Sequence, residues 1–395
     1  MTLPRWTSSS SHLNPLLALL LFFVASAGLG NPASAQAAPA TTPIRHVFII
    51  VLENEAYEFT FGPKTLAPYL AHDLVQRGAL LTHYYGIGHN SLGNYVALIS
   101  GQAPNAATQE DCPDFVDFAA TDGKPDGNGQ LAGQGCIYPA SVKTVADQLH
   151  DAGFAWKGYM EGMGSTPSRE PTRCGHVAPG TRDSTNQETI GDRYADKHNP
   201  FIYFHSIIDD RAYCDQHVVP LKDLAVDLKQ VHTTPNLSFI TPDLCHDGHD
   251  APCLNGEKGG LISADAFLKA WVPRIMTSPA FRQDGMIIVT FDEGTDANAC
   301  CGELALPGGP APGKYGPGGG RIGAVLISPS IKPGTVSSTP YNHYSTLRSL
   351  EQWFGLGFLG YAAHPGLRTF GHDVFNLPDR LDSGTANAST PAPSR

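Results

Sequence analysis

Positive charge is in short supply in this chain. Against 37 Asp and Glu there are only 26 Lys and Arg, for a net charge of −11. A nucleic-acid binder needs a basic stripe to neutralise phosphates, so that class is excluded. Electrostatic docking on an anionic membrane is disfavoured by the same deficit. A small phosphate substrate is not, because a site needs only a local positive charge or a metal. No C-x-x-C pair occurs, which argues against a structural zinc site. No G-x-x-x-x-G-K-[ST] motif occurs either, so the usual nucleotide cradle is missing. Charged residues make up only 16% and hydrophobic ones 41% of the chain, a globular rather than a disordered balance. Beyond the N-terminus, no apolar run reaches the ~20 residues that a membrane-spanning helix needs.

Residues 1–35 read as a secretory signal. Arg5 precedes the apolar stretch Leu16–Val24, and Ala33-Ser34-Ala35 has the pattern of a cleavage site. Residues 36–43 form a leader of small residues with two prolines. The domain is expected over 44–380, with long loop insertions at 101–140 and 302–320 and a disordered tail at 381–395. All eight cysteines lie in the exported part, as expected of disulfides in an oxidising compartment. Proximity pairs Cys112 with Cys136 and Cys245 with Cys253; the pairing of the other four is open. The expected location is secreted or periplasmic, with no stable membrane insertion after cleavage; the oligomeric state is open.

Largely apolar, β-branched runs at His46–Leu52, Leu237–Thr241 and Met286–Phe291 read as strands buried on both faces. Further strands are expected at Ala79–Tyr85, Phe154–Tyr159 and Ile322–Ile327. Helical spacing is found over Thr65–Arg77, Ser91–Ser100, Val142–Ala152, Leu221–Val231, Ala264–Thr277 and Tyr344–Phe354. Strands alternating with helices imply an α/β/α sandwich of three layers around a mainly parallel sheet. Ligands of such sheets bind at the carboxyl ends of the strands.

Polar residues collect where that rule puts a site. His46–Leu52 runs into Glu53-Asn54, Leu237–Thr241 into Asp243, Asp247 and His249, and Met286–Phe291 into Asp292-Glu293. Ala79–Tyr85 leads through two glycines to His89-Asn90-Ser91. Carboxylate, amide and hydroxyl oxygens together with histidine suit a divalent metal. A metal there can polarise a phosphoryl oxygen and lower the pKa of a bound oxygen nucleophile. Ser91 opens a helix, where free N–H groups favour an anion, and can attack phosphorus to give a phosphoserine. From the local sequence alone, the reading of Ser91 as only a helix cap would win.

Several separated motifs then share one resemblance: HVFIIVLENEAYEFTFG (46–62), GHNSLGNYVALISG (88–101), YMEGM (159–163), YADKHNPFIYF (194–204), SFITPDLCHDGHD (238–250), VTFDEG (289–294) and NHYSTLRSLEQWFG (342–355). In order and spacing they resemble the secreted acid phosphatase and phospholipase C group of phosphoesterases, within the alkaline phosphatase superfamily. The resemblance implies metal ligands at Glu53, Asn54, Ser91, Asp292 and Glu293, with Ser91 the nucleophile. It places Asp243, Asp247 and His249 where two-metal relatives hold a second ion. It implies proton-transfer roles for His89, His249 and His343, and substrate contacts for Asn94, His198 and Asn199. The implied cofactor is a divalent metal ion of open identity and number, and the implied partner is a small phosphate ester. Relatives usually carry Pro where this chain has Gly93, and often Pro where it has Asn90.

An acid phosphatase acting on monoesters is the leading expectation. A phospholipase C-type phosphodiesterase is the nearest alternative, and an inactive secreted binding protein the one from another class. A sulfatase would need a Cys or Ser followed by Pro and Arg, and Ser91-Leu92-Gly93-Asn94-Tyr95 lacks both. Residues 302–320 contain 8 Gly and 4 Pro and are expected to form a flexible loop beside Asp292.

Overall fold

Seven consecutive apolar or β-branched residues, apart from His46, make His46–Leu52 (β1) a strand with no polar face to offer water, and every one of them is buried. The computed structural model describes residues 44–375, so the expected signal, the leader and the tail beyond residue 375 lie outside the described residues. The other strands of the main sheet are Ala79–Leu81 (β2), Trp156–Met160 (β3), Val218–Pro220 (β4), Leu237–Thr241 (β5), Gly285–Phe291 (β6), Ala324–Ile327 (β7) and Thr335–Ser337 (β8). Their order across the sheet is β8-β2-β7-β6-β1-β5-β3-β4. β1 sits between β5 and β6 and is parallel to both, with Val47 opposite Leu237 and Met286. Only β7 runs against its neighbours. The sheet is therefore mainly parallel in a mixed α/β fold, as the alternation of elements implies.

The longer helices are Ser91–Ser100 (α1), Val145–Asp151 (α2), Gly260–Thr277 (α3) and His343–Phe354 (α4). α1, α2 and α4 pack together, whereas α3 packs with Tyr69–Leu74 and Pro279–Asp284. α1 ends at Gly101, whose φ of 70° is the left-handed conformation of a helix stop. α4 opens on a capping box in which Asn342 and Ser345 exchange hydrogen bonds.

Three helical expectations shorten, Val142–Ala152 to Val145–Asp151 behind the Thr144 capping box. Pro68 disfavours helix before it, so Thr65–Arg77 winds only from Tyr69, first as a π turn and then as a 3-10 turn. Leu221–Val231 stops at Asp227, where the Thr233 and Thr234 hydroxyls donate to the carbonyls of Asp227 and Gln230. The insertion 101–140 is exposed around residues 121–129, but part of the rest joins the core. Phe115, Leu131, Ile137 and Tyr138 are buried, and Phe118, Tyr138 and Phe204 stack in a row.

The 302–320 loop is also less free than its composition predicts. Gly294 N donates to Gly319 O (2.7 Å), Gly319 N to Gly86 O (3.1 Å) and Gly86 N to Gly320 O (3.0 Å). A Cβ on Gly319 would stand 2.3 Å from Gly88 O. These glycines let two backbones touch, a close approach that no other residue permits.

Cys112–Cys136 and Cys245–Cys253 pair as proximity predicts, and Cys174–Cys214 and Cys300–Cys301 complete the set. No helix among the described residues is long and apolar enough to cross a membrane.

Candidate active site

Parallel strands end at the same edge, and the ends of β1, β5 and β6 bring Glu53, Asp247 and Asp292 together there. Glu53 is fully buried and accepts a hydrogen bond from Ser91 Oγ on Oε2 (2.7 Å). Tyr95, one turn along α1 from Ser91, donates its hydroxyl to Glu53 Oε1. Asn54 N (3.0 Å) and Glu293 N (2.6 Å) both donate to Asp292 Oδ1. His198 stands between two acids, with Nε2 3.3 Å from Glu53 Oε2 and Nδ1 3.4 Å from Asp247 Oδ2. Two residues here hold non-glycine backbone at positive φ, Asn54 (56°) and Asn90 (62°). Such conformations cost stability and gather at functional sites.

Burial raises the pKa of Glu53 well above the ordinary carboxylate value, and Asp292 and Asp247 push it further. Burial likewise raises Asp247 and Asp292. His198 moves the other way, held neutral by burial and by Lys197. Several polar atoms in this group are buried without hydrogen-bond partners: Asn54 Oδ1, Asp292 Oδ2, Asp247 Oδ2 and both ring nitrogens of His198. Ligand atoms of Glu53, His198 and Asp247 lie within 4.8 Å of one another. Crowded acids, a neutral imidazole and unpaired oxygens are a donor set that fits a divalent cation.

The remaining expected residues separate into those that face this cage and those that support it. Asn94 accepts from Ile87 N (2.8 Å) and Gly88 N (2.9 Å) and donates to Gly88 O (2.9 Å) and Asn90 O (3.3 Å). All its hydrogen-bonding capacity braces the loop before Ser91. His343 donates from Nε2 to Asp292 O (2.6 Å) and meets the Tyr84 hydroxyl at Nδ1 (3.2 Å). Burial lowers its pKa to about 4. Both of its ring nitrogens are occupied within the protein. Asn199 donates to the Tyr194 hydroxyl (2.9 Å), in the scaffold rather than the cage.

Asp243 leaves the cage as well. Its Oδ2 pairs with Arg193 Nε (2.8 Å), and it groups with Glu161 and His246. Glu293 is bonded to His89 Nδ1, and His89 Nε2 donates to Asp296 O (2.9 Å). Glu293 is therefore engaged with a histidine through Oε2. The bond to Glu293 raises the pKa of His89. His249 lies at the rim, its ring centroid 6.2 Å from that of His198. Its Nδ1 meets Asp250 Oδ1 (2.7 Å).

Three residues were not anticipated. Tyr95 could have been found from its place four residues after Ser91, on the same helix face. Lys197 neighbours His198 in a motif already singled out. It is buried and pairs with Asp111 Oδ2 (3.2 Å), while Asp111 Oδ1 accepts from Leu92 N (3.0 Å) at the start of α1. Asp111 carries no signal in sequence; a tertiary contact alone brings it here.

The profile of the Phosphoesterase family matches residues 63–357. The chain belongs to this family. The phosphoesterase is 24% identical over 316 residues to a probable acid phosphatase of Kluyveromyces lactis, covering 80% of this chain and 59% of that protein. It therefore spans less than two thirds of that relative's length. A phosphatidylinositol-3-phosphatase of Mycobacterium tuberculosis is 23% identical over 338 residues, covering 84% of each chain. Among solved structures, a protein in the alkaline phosphatase superfamily from Vibrio parahaemolyticus aligns with a TM-score of 0.46 and 14% identity, over 79% of this chain and 67% of that one.

Proposed function

We propose that this phosphoesterase is an exported, metal-dependent phosphatase that hydrolyses phosphate monoesters through Ser91. The observation that carries the reading is the hydrogen bond from Ser91 Oγ to a fully buried Glu53, inside a group of acids with unpaired oxygens. Family membership and two relatives with phosphatase names support a phosphoric ester as substrate. Eight paired cysteines support an oxidising compartment.

Glu53, Asn54, Asp247, His198 and Asp292 would hold the metal, which when bound supplies positive charge for the phosphoryl oxygens and lowers the pKa of the serine hydroxyl. Ser91 sits at the start of α1, where the helix dipole favours negative charge. Glu53 aims its hydroxyl and offers a place for its proton. Ser91 Oγ forms a bond to phosphorus while the bond from phosphorus to the leaving alcohol oxygen breaks. The leaving oxygen takes a proton from the solvent side, where His249 stands at the rim with its Nδ1 on Asp250. Water then attacks the phosphoserine, releasing phosphate and restoring Ser91. Lys197, through Asp111 and the Leu92 amide, fixes the start of the helix that carries the nucleophile.

The test is hydrolysis of p-nitrophenyl phosphate and of p-nitrophenylphosphorylcholine, before and after chelation and with divalent metal restored. Monoester cleavage that is lost on chelation and regained with metal is expected. Preference for the diester would overturn the monoester assignment, and chelator-insensitive turnover would overturn the metal.

A further inference from the structure

Tyr95 is buried against the cage, and the proposed reaction gives it no part. It lies one turn after Ser91 on α1, and side chains four apart on a helix share a face. The two residues therefore reach the same carboxylate. Ser91 Oγ donates to Glu53 Oε2 (2.7 Å), and the Tyr95 hydroxyl donates to Glu53 Oε1. The Tyr95 ring also stacks on His198, with centroids 5.3 Å apart and planes 14° from parallel. Phe239 of β5 meets the same ring at 6.2 Å and 57°.

These contacts do more than satisfy a core tyrosine. The last torsion of a glutamate is soft and roughly two-fold, so the side chain alone does not decide which oxygen meets which partner. With one hydroxyl on each oxygen, Glu53 has a single orientation, in which Oε2 serves Ser91 and stands 3.3 Å from His198 Nε2. His198 is set in turn, its nitrogens between Glu53 and Asp247 and its face against Tyr95. Tyr95 thus touches two residues that would hold the metal, from the helix that carries the nucleophile. Groups that orient metal ligands carry a share of the metal affinity although they never touch the ion.

We propose that Tyr95 is a positioning residue of the site: its hydroxyl fixes the Glu53 carboxylate and its ring fixes His198. The inference rests on the metal-dependent reading of this site. It goes beyond that reading in giving one phenol a hold on both metal affinity and the placement of the nucleophile. Without the hydroxyl, Glu53 is free to turn, and the Ser91 hydroxyl loses its fixed acceptor. A phenylalanine at this position keeps the ring against His198 and Phe239, so it removes the bond and spares the packing.

The experiment is calorimetric titration of chelator-treated protein with manganese(II), beside hydrolysis of p-nitrophenyl phosphate at saturating manganese(II), for wild type, Tyr95→Phe and Tyr138→Phe. Tyr138 is the structural comparison. It is as buried as Tyr95, it stacks on Phe118 and Phe204, and its hydroxyl accepts from Asn105 Nδ2 (3.1 Å), none of them a cage residue. Tyr95→Phe should bind manganese(II) about 10–100-fold more weakly. At saturating metal its kcat should fall by about tenfold, with KM within about twofold of wild type. Tyr138→Phe should lower Tm and keep the wild-type metal affinity and kcat. Wild-type affinity in Tyr95→Phe, or an equal loss of affinity in Tyr138→Phe, would overturn this inference and leave the metal reading standing. Wild-type protein that turns over substrate but binds no manganese(II) would overturn both.

Discussion

Glu53 is the residue on which the candidate site turns. Its two oxygens meet Ser91 and Tyr95 on one side and His198 on the other. Replacing Ser91 removes one hydroxyl from α1 and leaves the packing as it was. Ser91→Ala should therefore lose turnover by about 10³-fold or more with an unchanged Tm, as read by steady-state kinetics beside a melting curve. Asn94→Ala should behave in the opposite way. It removes buried bonds to Ile87, Gly88 and Asn90, so stability should fall by about 2–4 kcal/mol. Turnover should fall with it, while KM stays near wild type, because Asn94 does not face the substrate. At this scale the sequence was legible where a residue follows a buried strand: Glu53, Asn54 and Asp292 directly, and Asp247 six residues after Thr241, all converge. It was not legible for Asn94, His343 or Asp243. Their chemistry suits a site, but their partners are the 86–90 loop, the Asp292 carbonyl and Arg193. Residue type cannot tell a substrate contact from a strut when the choice depends on which backbone atoms fold against it.

Among elements, the approach of the glycine-rich loop to the nucleophile turn is the feature most open to test. Gly318–Gly320 and Gly86–Gly88 run against each other as bare backbone. Gly319→Ala would place a methyl group 2.3 Å from Gly88 O, so one backbone must move. Activity should drop by about tenfold or more, since sub-ångström placement of a nucleophile carries rates of that size. The far-UV spectrum should stay native. Gly334→Ala is the control: that position has positive φ, unlike Gly319, but open space around it, so it should cost only stability. Composition reveals flexibility in a Gly and Pro run, but whether those glycines serve freedom or close approach depends on what lies opposite. The buried strands were read well because period and length are local properties. β4 and β8 are three residues each and leave no period to read. The helix expected at Thr65–Arg77 was cut at Pro68, a local signal that the helical spacing outweighed.

Across the whole molecule, buried carboxylates tilt the fold towards acid. Burial lifts Glu351 from 4.5 to about 8, and Glu55 and Glu170 to about 7. Glu351 Oε1 accepts from Leu359 N (2.8 Å), while Oε2 is buried without a partner. A folded pKa above the unfolded value means that the folded chain holds the proton longer. The stability contributed by protonated Glu351 is therefore fully present below about pH 4.5 and is lost as pH rises through about 8. Glu351→Gln keeps the neutral form at every pH. Its stability relative to wild type should grow by about 2–4 kcal/mol between pH 5 and pH 8, as measured by denaturant unfolding at the two pH values. An equal difference at both would show that Glu351 does not titrate in this range. The charge balance that argues against nucleic acid is a property of the entire chain and was read directly from composition. The raised carboxyl groups are not, because burial is decided only when the sheet and helices close over them.

The central claim is that Ser91 takes the phosphoryl group from the substrate. It is tested most directly by acid-quenching the enzyme during turnover of a phosphate monoester and mapping the adduct by peptide mass spectrometry. A phosphate on Ser91, present in wild type and missing in both Ser91→Ala and chelator-treated protein, is the predicted result. Turnover that persists in Ser91→Ala, or a phosphate trapped on a histidine instead, would contradict the account.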